Sequence, residues 1–439
     1  AGAEVDKEYD NIVSGLAIIR LPESTALVDA LIQFNQSANV LYAEPNYKYR
    51  LFVIPNDPMF SELWALNNTG QTGGTVDADI DAPEAWDVKS GAPNIIVAIA
   101  DTGIDYKHPD LAVNMWVNTA EQNGRANFDD DGNGYKDDIY GYDFAGAQRD
   151  NPRDGDSDPC DMLFHGTHIA GTVGAVGNNR EGVAGVCWNV KLMALKIVAD
   201  DSAIVPDILV GDAIEAVGYA VKNGAKVINS SWGWNVYSQS LYDAITNAGN
   251  KGVICVAAAG NDSSDNDVNP LYPACYDLEN IIAVMSTDRN DKMSSFSNYG
   301  ATSVDVAGPG TDILSTTPTY ETAGMLVYEV STNYAVLSGT SMAAPHVSGA
   351  CALVLSRYPS LPNRLVKALF LKAVDPILAS PRRCLSGGRI NLHKALTLIP
   401  SGRPGRVLNT KDDPNIPSNL YRTIQAAIDD ANDGDVLIA

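Results

Sequence analysis

No run of about 18 consecutive apolar residues occurs in this 439-residue chain, so the sequence offers no membrane-spanning helix. Basic residues are scarce. Lys plus Arg number 30 against 54 Asp plus Glu, a formal charge of -24, and no basic cluster interrupts the acidic background, which argues against a nucleic-acid partner. The six cysteines, at 160, 187, 255, 275, 351 and 384, include no CxxC pair, so neither a zinc ribbon nor a dithiol redox motif is supported. Cys255 and Cys351 lie inside the apolar runs VICVAAA and GACALVL and read as small buried hydrophobes. The other four are open to disulfide formation in an oxidising compartment, in pairings the sequence does not reveal. The opening residues AGAEVDKEYD have no charged-then-apolar signal segment, so any export signal has been removed or lies upstream.

What is present describes a folded protein. Hydrophobic residues make up 45% and charged residues 19%, enough for a sizeable core and too apolar for a largely disordered chain. The length exceeds what one core usually supports, so two or three domains are expected. Acidic excess is compatible with solubility in an extracellular medium and equally with capture of hard divalent cations.

Residues 11–54 read as strand, helix, strand (NIVSGLAIIRL, STALVDALIQFNQ, NVLYAEPNYKYRLFVI), a small α+β unit spanning 1–54. The following PNDPMFSELWALNNTGQ is rich in turn formers and reads as a connection over a surface. From about 83 to 400, short and almost continuously apolar runs (NIIVAIA, VKLMALKIV, AKVINSS, GVICVAAA, NIIAVMS) alternate with segments of helical spacing such as DILVGDAIEAVGYAVKNG and SQSLYDAITNAGNKG. Strands without polar alternation are buried on both faces, and alternation with helices makes their sheet parallel: an α/β doubly wound domain over 55–400. In such sheets the active site lies beyond the carboxyl ends of the strands. Residues 401–439 begin with linker composition and end in TIQAAIDDANDGDVLIA, which resembles the opening of a parallel β-helix of the pectate-lyase type and marks a further domain.

Peptide hydrolysis requires a nucleophile, a base, a group that orients the base, and donors for the oxyanion. Asp101 directly follows the buried strand in IIVAIADTGID, and His165 opens a helix of small residues in FHGTHIAGTVGA. Ser341, in GTSMAAPHVSGACALVLS, falls at a helix N-terminus, where orphan N–H groups face a developing negative charge. Singly, each has a plainer reading as turn former, structural imidazole or N-cap; jointly, in the order Asp, His, Ser, they point to acyl transfer.

The blocks DTGID, HGTHIAG and GTSMAAPHVSG resemble the three signature blocks of the subtilases, from PNDPMF at 55 to GGRINLHKAL at 396. The resemblance implies a three-layer fold around a seven-stranded parallel sheet and a serine endopeptidase. Asp101 would orient the imidazole, His165 act as base and then acid, and Ser341 attack the carbonyl. In AAAGND, Asn261 matches the side-chain donor that completes the oxyanion hole with the Ser341 N–H. Loss of that donor in subtilisin costs about 10²–10³ in turnover. SSWGW at 230–234 matches the edge to which an extended substrate adds, with Ser231, Trp232 and Gly233 lining the first specificity pocket and Leu271 narrowing its floor, for apolar residues before the scissile bond.

His168 sits three residues after His165 without an HExxH pattern and reads as structural, as do His108, His346 and His393. GTSMA lacks the closing Gly of the α/β-hydrolase elbow, and that family also places Ser before His. Two rivals stand beside the protease: a surface protein whose vestigial protease domain presents a polysaccharide-binding β-helix, and a convertase cutting after basic pairs. The intact set including Asn261 opposes the first, and SSWGW, without an acidic pocket, does not favour the second.

NFDDDGNGYKDDIYGYDF gathers Asp129, Asp131, Asn133, Asp137 and Asp138 around a Gly-rich turn. Its D-x-D-x-N opening resembles an EF-hand loop, but Gly comes directly after Asn133 and the terminal Glu is missing; calcium is expected there. A second calcium site is implied by family position: Asp110 with the loop GNNREGV, where Asn179 gives a side-chain oxygen and Gly177, Glu181 and Val183 give carbonyls. LYAEPNYKYR resembles the end of the subtilase propeptide, an intramolecular inhibitor, with its first strand missing and cleavage expected between about 47 and 56. The whole is expected to be a secreted, calcium-binding monomer acting on polypeptides.

Overall fold

The computed structural model describes residues 3–22, 25, 27–44, 53–147, 155–201, 207–377 and 382–398. The chain divides into two compact units, Ala1–Phe52 and Val53–Ala439. The β-helix expected after 401 and most of the LYAEPNYKYR stretch lie outside the described residues.

In the first unit, Glu4–Glu8 pairs antiparallel with Ala17–Arg20, and a helix follows over Leu27–Asn35. The first of these strands was not expected from the sequence. Every residue of EVDKE is exposed, so it carries none of the apolar alternation by which a half-buried strand is read.

The second unit is organised by a nine-stranded sheet. In spatial order it runs Val374–Pro376, Gly388–Ile390, Val306–Pro309, Ile281–Thr287, Ile254–Ala258, Val227–Ser230, Ile96–Asp101, Lys191–Lys196 and Gly141–Asp143. All neighbours are parallel except the edge strand Val374–Pro376. The sheet thus exceeds the seven strands implied by the family resemblance, short three-residue strands having joined at both edges. The five apolar runs of the sequence form its centre.

Alternating side chains on each strand serve two different cores. Val97 and Ile99 pack with Ile169, Val173, Val347 and Val354 of the helices His165–Gly174 and Thr340–Arg357. Ala98 and Ala100 face Ala213, Ala216, Leu241 and Ile245 of the helices Val210–Lys222 and Gln239–Asn250. Both faces are therefore dry, as parallel pairing requires. The helix Thr340–Arg357 is buried from Thr340 to Leu355. At Gly349 a Cβ would stand 2.7 Å from Val186 and 3.0 Å from the Val173 carbonyl, so a side chain there would push this helix away from the core.

The segment after 55 is not a surface connection. Phe60, Leu63, Trp64 and Leu66 are buried in the larger core, and the Trp64 indole donates to the Asp312 carbonyl at 3.1 Å. Its turn formers shape short turns, while these apolar residues fill the core between them.

Candidate active site

Strand order determines where chemistry is placed. Ile96–Asp101 lies between Lys191–Lys196 on one side and Val227–Ser230 on the other, so the chain leaves this strand in both directions and a crevice opens at its carboxyl end. Asp101 is the last residue of that strand, and Ser231 directly follows its neighbour. His165 begins one helix of the layer above and Ser341 lies in the first turn of another.

Asp101 Oδ1 lies 2.7 Å from His165 Nδ1 and also accepts the Thr102 N–H at 2.8 Å. A carboxylate only accepts, so Nδ1 carries the proton and Nε2 presents its lone pair. Burial of the imidazole depresses its pKa, but the charge and hydrogen bond of Asp101 and the charge of Asp161 together prevail, and the net direction is upward. Asp161 has no exposed surface and accepts from Thr102 Oγ1 at 2.9 Å, Thr167 Oγ1 at 2.6 Å, and the N–H groups of Thr167 and Leu163, both at 2.9 Å. Burial pushes its carboxyl up to about 6 against the pull of these donors. Thr102 Oγ1 in turn accepts the Gly166 N–H at 2.8 Å, so one buried carboxylate ties the Asp-bearing strand to the His-bearing helix.

Ser341 Oγ donates to the Ser231 carbonyl at 3.0 Å. Asn261 is oriented by Thr340, whose N–H and Oγ1 reach Asn261 Oδ1 at 2.9 and 3.0 Å. The amide nitrogen Nδ2 is thereby turned away from Thr340, and the Ser341 N–H belongs to the first turn of its helix, where no intrahelical acceptor exists. Thr340 and Asp161 were not among the residues singled out from the sequence; Thr340 stands inside the GTSMA block, and Asp161 has only its place just before FHGTH as a signal.

The residues expected at the first pocket separate. A Cβ on Gly233 would stand 2.8 Å from Leu271 Cδ2, and one on Gly260 3.0 Å from it, so Gly233, Leu271 and the residue before Asn261 meet. The Trp232 indole instead donates to the Ala100 carbonyl at 2.8 Å and stacks on Trp234. It lines a separate cavity of about 310 Å³ with Leu163, Phe164, His165, Val198, Ile208 and Tyr328.

The acidic loop is sorted likewise. Glu121, Asp129 and Asp131 each offer a carboxylate oxygen within 4.8 Å of the others. Backbone N–H groups already offset part of the repulsion, Glu121 accepting from residues 130, 131 and 137 and Asp129 from 132, 133 and 134, and a hard cation would offset more; all three side chains are oxygen donors, a set that fits calcium. Glu121 was missed in the sequence because it lies eight positions upstream, on the helix Thr119–Gln122. Asn133 Oδ1 accepts the Tyr135 N–H and Asp137 Oδ2 the Asn127 N–H. Asp138 turns inward, bonded to Tyr219, Asn133 and Asn118, so it is part of the loop's buried support.

Asp110, fully buried, accepts from Asn179 Nδ2 at 2.8 Å and the Val183 N–H at 2.9 Å. Asn179 Oδ1 accepts the Glu181 N–H, and Gly177 packs on Trp188, where a Cβ would come within 2.2 Å of the ring. Asp57, which sequence reading overlooked, accepts the Asn178 N–H at 2.7 Å, bringing a second buried carboxylate to the same loop. Burial pushes Asp110 up to about 6 and raises Asp57 also. The amide nitrogen of Asn179 and the N–H of Val183, rather than the oxygens expected of them, face Asp110, so the carboxylate is held by donors as the loop stands, and a cation there would need the Asn179 amide to turn.

His168 is buried with Nε2 at 3.0 Å from the Ile313 carbonyl, and His108, His346 and His393 each bond a backbone carbonyl. All six cysteines are free thiols.

Comparison with known proteins shows the family. The model of the subtilase family matches residues 92–414. A thermophilic serine proteinase of Bacillus sp. (strain AK1) is 35% identical over 90% of this chain and 82% of its own length. Thermitase of Thermoactinomyces vulgaris is 37% identical over 78% of this chain and 99% of its own. Among solved structures, a protease from Pseudoalteromonas arctica PAMC 21717 superposes with a TM-score of 0.62 at 28% identity, over 78% of this chain and 99% of that one. The chain belongs to the subtilase family and is a serine endopeptidase.

Proposed function

We propose that the enzyme cuts polypeptides with Asp101, His165 and Ser341 as a catalytic triad, through an acyl-enzyme. The observation that carries this is the 2.7 Å contact from Asp101 Oδ1 to His165 Nδ1, because it leaves Nε2 unprotonated and able to act as a base. When substrate binds, the Ser341 hydroxyl exchanges the Ser231 carbonyl for Nε2. His165 takes the proton as Oγ bonds to the scissile carbonyl carbon, and the imidazolium is stabilised by Asp101. The oxyanion is held by Asn261 Nδ2 and the Ser341 N–H. Collapse breaks the C–N bond, and His165 passes its proton to the departing amine. Water then attacks the ester with His165 again as base, which restores Ser341.

The substrate lies extended along Ser231–Gly233, its residue before the scissile bond entering the pocket of Gly233, Leu271 and Gly260, where an apolar side chain fits best. The first unit serves as a propeptide that the enzyme removes from itself; the boundary between units at Phe52 and Val53 supports cleavage in that neighbourhood. Calcium would be held by Glu121, Asp129 and Asp131, and by Asp110 and Asp57 with the 177–183 loop. It supplies charge neutralisation that stabilises the fold and takes no part in the reaction. Sites of this kind fill best outside the cell, where calcium is abundant, and the enzyme acts there.

A fluorophosphonate probe with mass readout tests the reading. Wild type gains one adduct on Ser341 and sheds its first unit, whereas Ser341→Ala does neither. An unlabelled, uncut wild type in the presence of calcium would sink the triad assignment.

A further inference from the structure

Asn261 stands in a turn with little packing of its own. Asn261, Asp262 and Ser263 are all exposed, so no apolar burial fixes the carboxamide read above as an oxyanion donor. The backbone on either side is constrained: Gly260 has φ 110° and Ser263 has φ 54°, a conformation that a non-glycine residue keeps only where its surroundings impose it. Thr340 holds the side-chain oxygen of Asn261, but a side chain held at its tip still moves with its backbone.

That backbone is held by Asn298, which is 2% exposed. The Asn298 N–H donates to the Gly260 carbonyl at 2.8 Å, directly before Asn261. Its Oδ1 accepts the N–H groups of Asp262 at 2.8 Å and Ser264 at 3.0 Å, directly after Asn261. Two N–H groups can be met only by the oxygen, so the amide has a single orientation, and Nδ2 donates to Asn266 Oδ1 at 3.0 Å. Asn266 is equally buried, and its own Nδ2 donates to the Ala259 carbonyl at 2.8 Å. Ala259 in turn donates its N–H at 3.0 Å to Val284 of the central strand Ile281–Thr287. At Gly260 a Cβ would stand 2.4 Å from Asn298 Nδ2, so only glycine lets the turn lie this close to the amide. One buried residue therefore grips the chain on both sides of Asn261 and ties it to the sheet.

We propose that Asn298 is a positioning residue of the oxyanion hole, fixing the backbone from which Asn261 Nδ2 reaches the developing charge. This rests on the reading of Asn261 as an oxyanion donor and concerns what keeps that donor in place. A donor stabilises the oxyanion in proportion to how little it must reorganise as charge develops, so bonds that immobilise its backbone act on the transition state and hardly on the bound substrate.

The test measures kcat and KM per fluorophosphonate-labelled site in wild type, Asn298→Leu, Asn261→Ala and the double variant, so that unfolded protein is not counted. Leu replaces the amide by an apolar group of similar shape. Asn298→Leu should lower kcat by about 10–100-fold, as a displaced catalytic group does, with KM changed by about threefold or less. In the Asn261→Ala background the same substitution should leave kcat unchanged, because no donor remains to be placed; a residue that only supports the fold would lower kcat equally in both backgrounds. Asn298→Ser, whose hydroxyl still accepts an N–H, should fall between wild type and Asn298→Leu, and it carries the same comparison if Asn298→Leu yields no labelled enzyme. A labelled Asn298 variant with wild-type kcat, or one whose loss is the same with and without Asn261, overturns the proposal and leaves the oxyanion reading intact. An Asn261→Ala enzyme that keeps wild-type kcat removes the oxyanion reading, and the proposal with it.

Discussion

Ser231 and Ser341 hold each other by two hydrogen bonds running in opposite directions: Ser231 Oγ donates to the Ser341 carbonyl at 2.9 Å, and Ser341 Oγ donates to the Ser231 carbonyl at 3.0 Å. Behind them Asn229 Nδ2 donates to Ser231 Oγ, and Ser348 Oγ donates to Asn229 Oδ1. The nucleophile's backbone is thus tied to the strand that borders the substrate. Ser231→Ala deletes one of the paired bonds and strands the buried Asn229 amide. The expected cost is about 1–3 kcal/mol of stability, read by denaturant unfolding in a Ser341→Ala background that cannot digest itself. Turnover should fall by roughly tenfold or less, and an unaltered unfolding midpoint would show that the relay contributes nothing.

Thr340 gives a separate prediction. Its hydroxyl donates to Asn261 Oδ1 and accepts the Gly260 N–H at 3.1 Å, so Thr340→Val loosens the amide while leaving Asn261 in place. Asn261→Ala should lower kcat by about 10²–10³ with little change in KM, the magnitude known for this donor in subtilisin. Thr340→Val should fall between that variant and wild type, by roughly tenfold, again in kcat. An effect confined to KM would mean that neither residue stabilises the transition state.

These two cases show what the sequence reveals and what it hides. Asp101, His165 and Ser341 stand in long contiguous blocks and are legible because each block combines a strand end or helix start with the small residues its packing needs. The five apolar runs became the central strands for a similar reason: burial on both faces leaves a continuous signal. Trp232 and Gly233 are adjacent in the chain beyond the strand Val227–Ser230, yet the Trp232 indole bonds the Ala100 carbonyl while Gly233 lies against Leu271, a divergence that adjacency in sequence does not report. Asp138 and Asp129 belong to one acidic run, yet one turns to Tyr219 and the other outward, and only the fold of the loop distinguishes them. Asp57 meets its partner more than a hundred residues along the chain, where no local spacing reports the contact, and Glu121 lies on a separate short helix eight positions before Asp129, outside the acidic run itself.

The acid side of the pH profile follows from the charges around His165. As general base it must be neutral, so kcat/KM is lost as pH falls through its pKa, which the structure holds above the ordinary value. Asp101 at the strand end and buried Asp161 are the anions acting on the ring, with His168 one turn along the same helix and neutral because burial drives its pKa down to about 3. Asp161→Asn removes one anion without touching the Asp101 contact. The acid limb should therefore move to lower pH, and maximal kcat should drop because one amide oxygen cannot serve every donor now gathered on Asp161. A limb that stays in place would show that Asp161 acts through packing alone.

Removal of calcium tests the two carboxylate sites independently of catalysis. In Ser341→Ala protein, where self-digestion cannot mimic unfolding, a chelator should lower the thermal transition and added calcium restore it. A ligand present at 100 times its dissociation constant stabilises the folded state by about 2.7 kcal/mol, so even one modest site is measurable. Asp129→Ala should abolish the share due to the Glu121, Asp129 and Asp131 cluster, and Asp110→Ala the share due to the 177–183 loop, with the effects additive because the clusters share no ligand. Asp138→Ala should behave differently: it removes the support under the loop and strands the Tyr219 hydroxyl, so it lowers the transition in chelator as well as in calcium. If the chelator leaves the transition of Ser341→Ala unchanged, the carboxylates are held by their backbone donors alone and neither cluster is a calcium site.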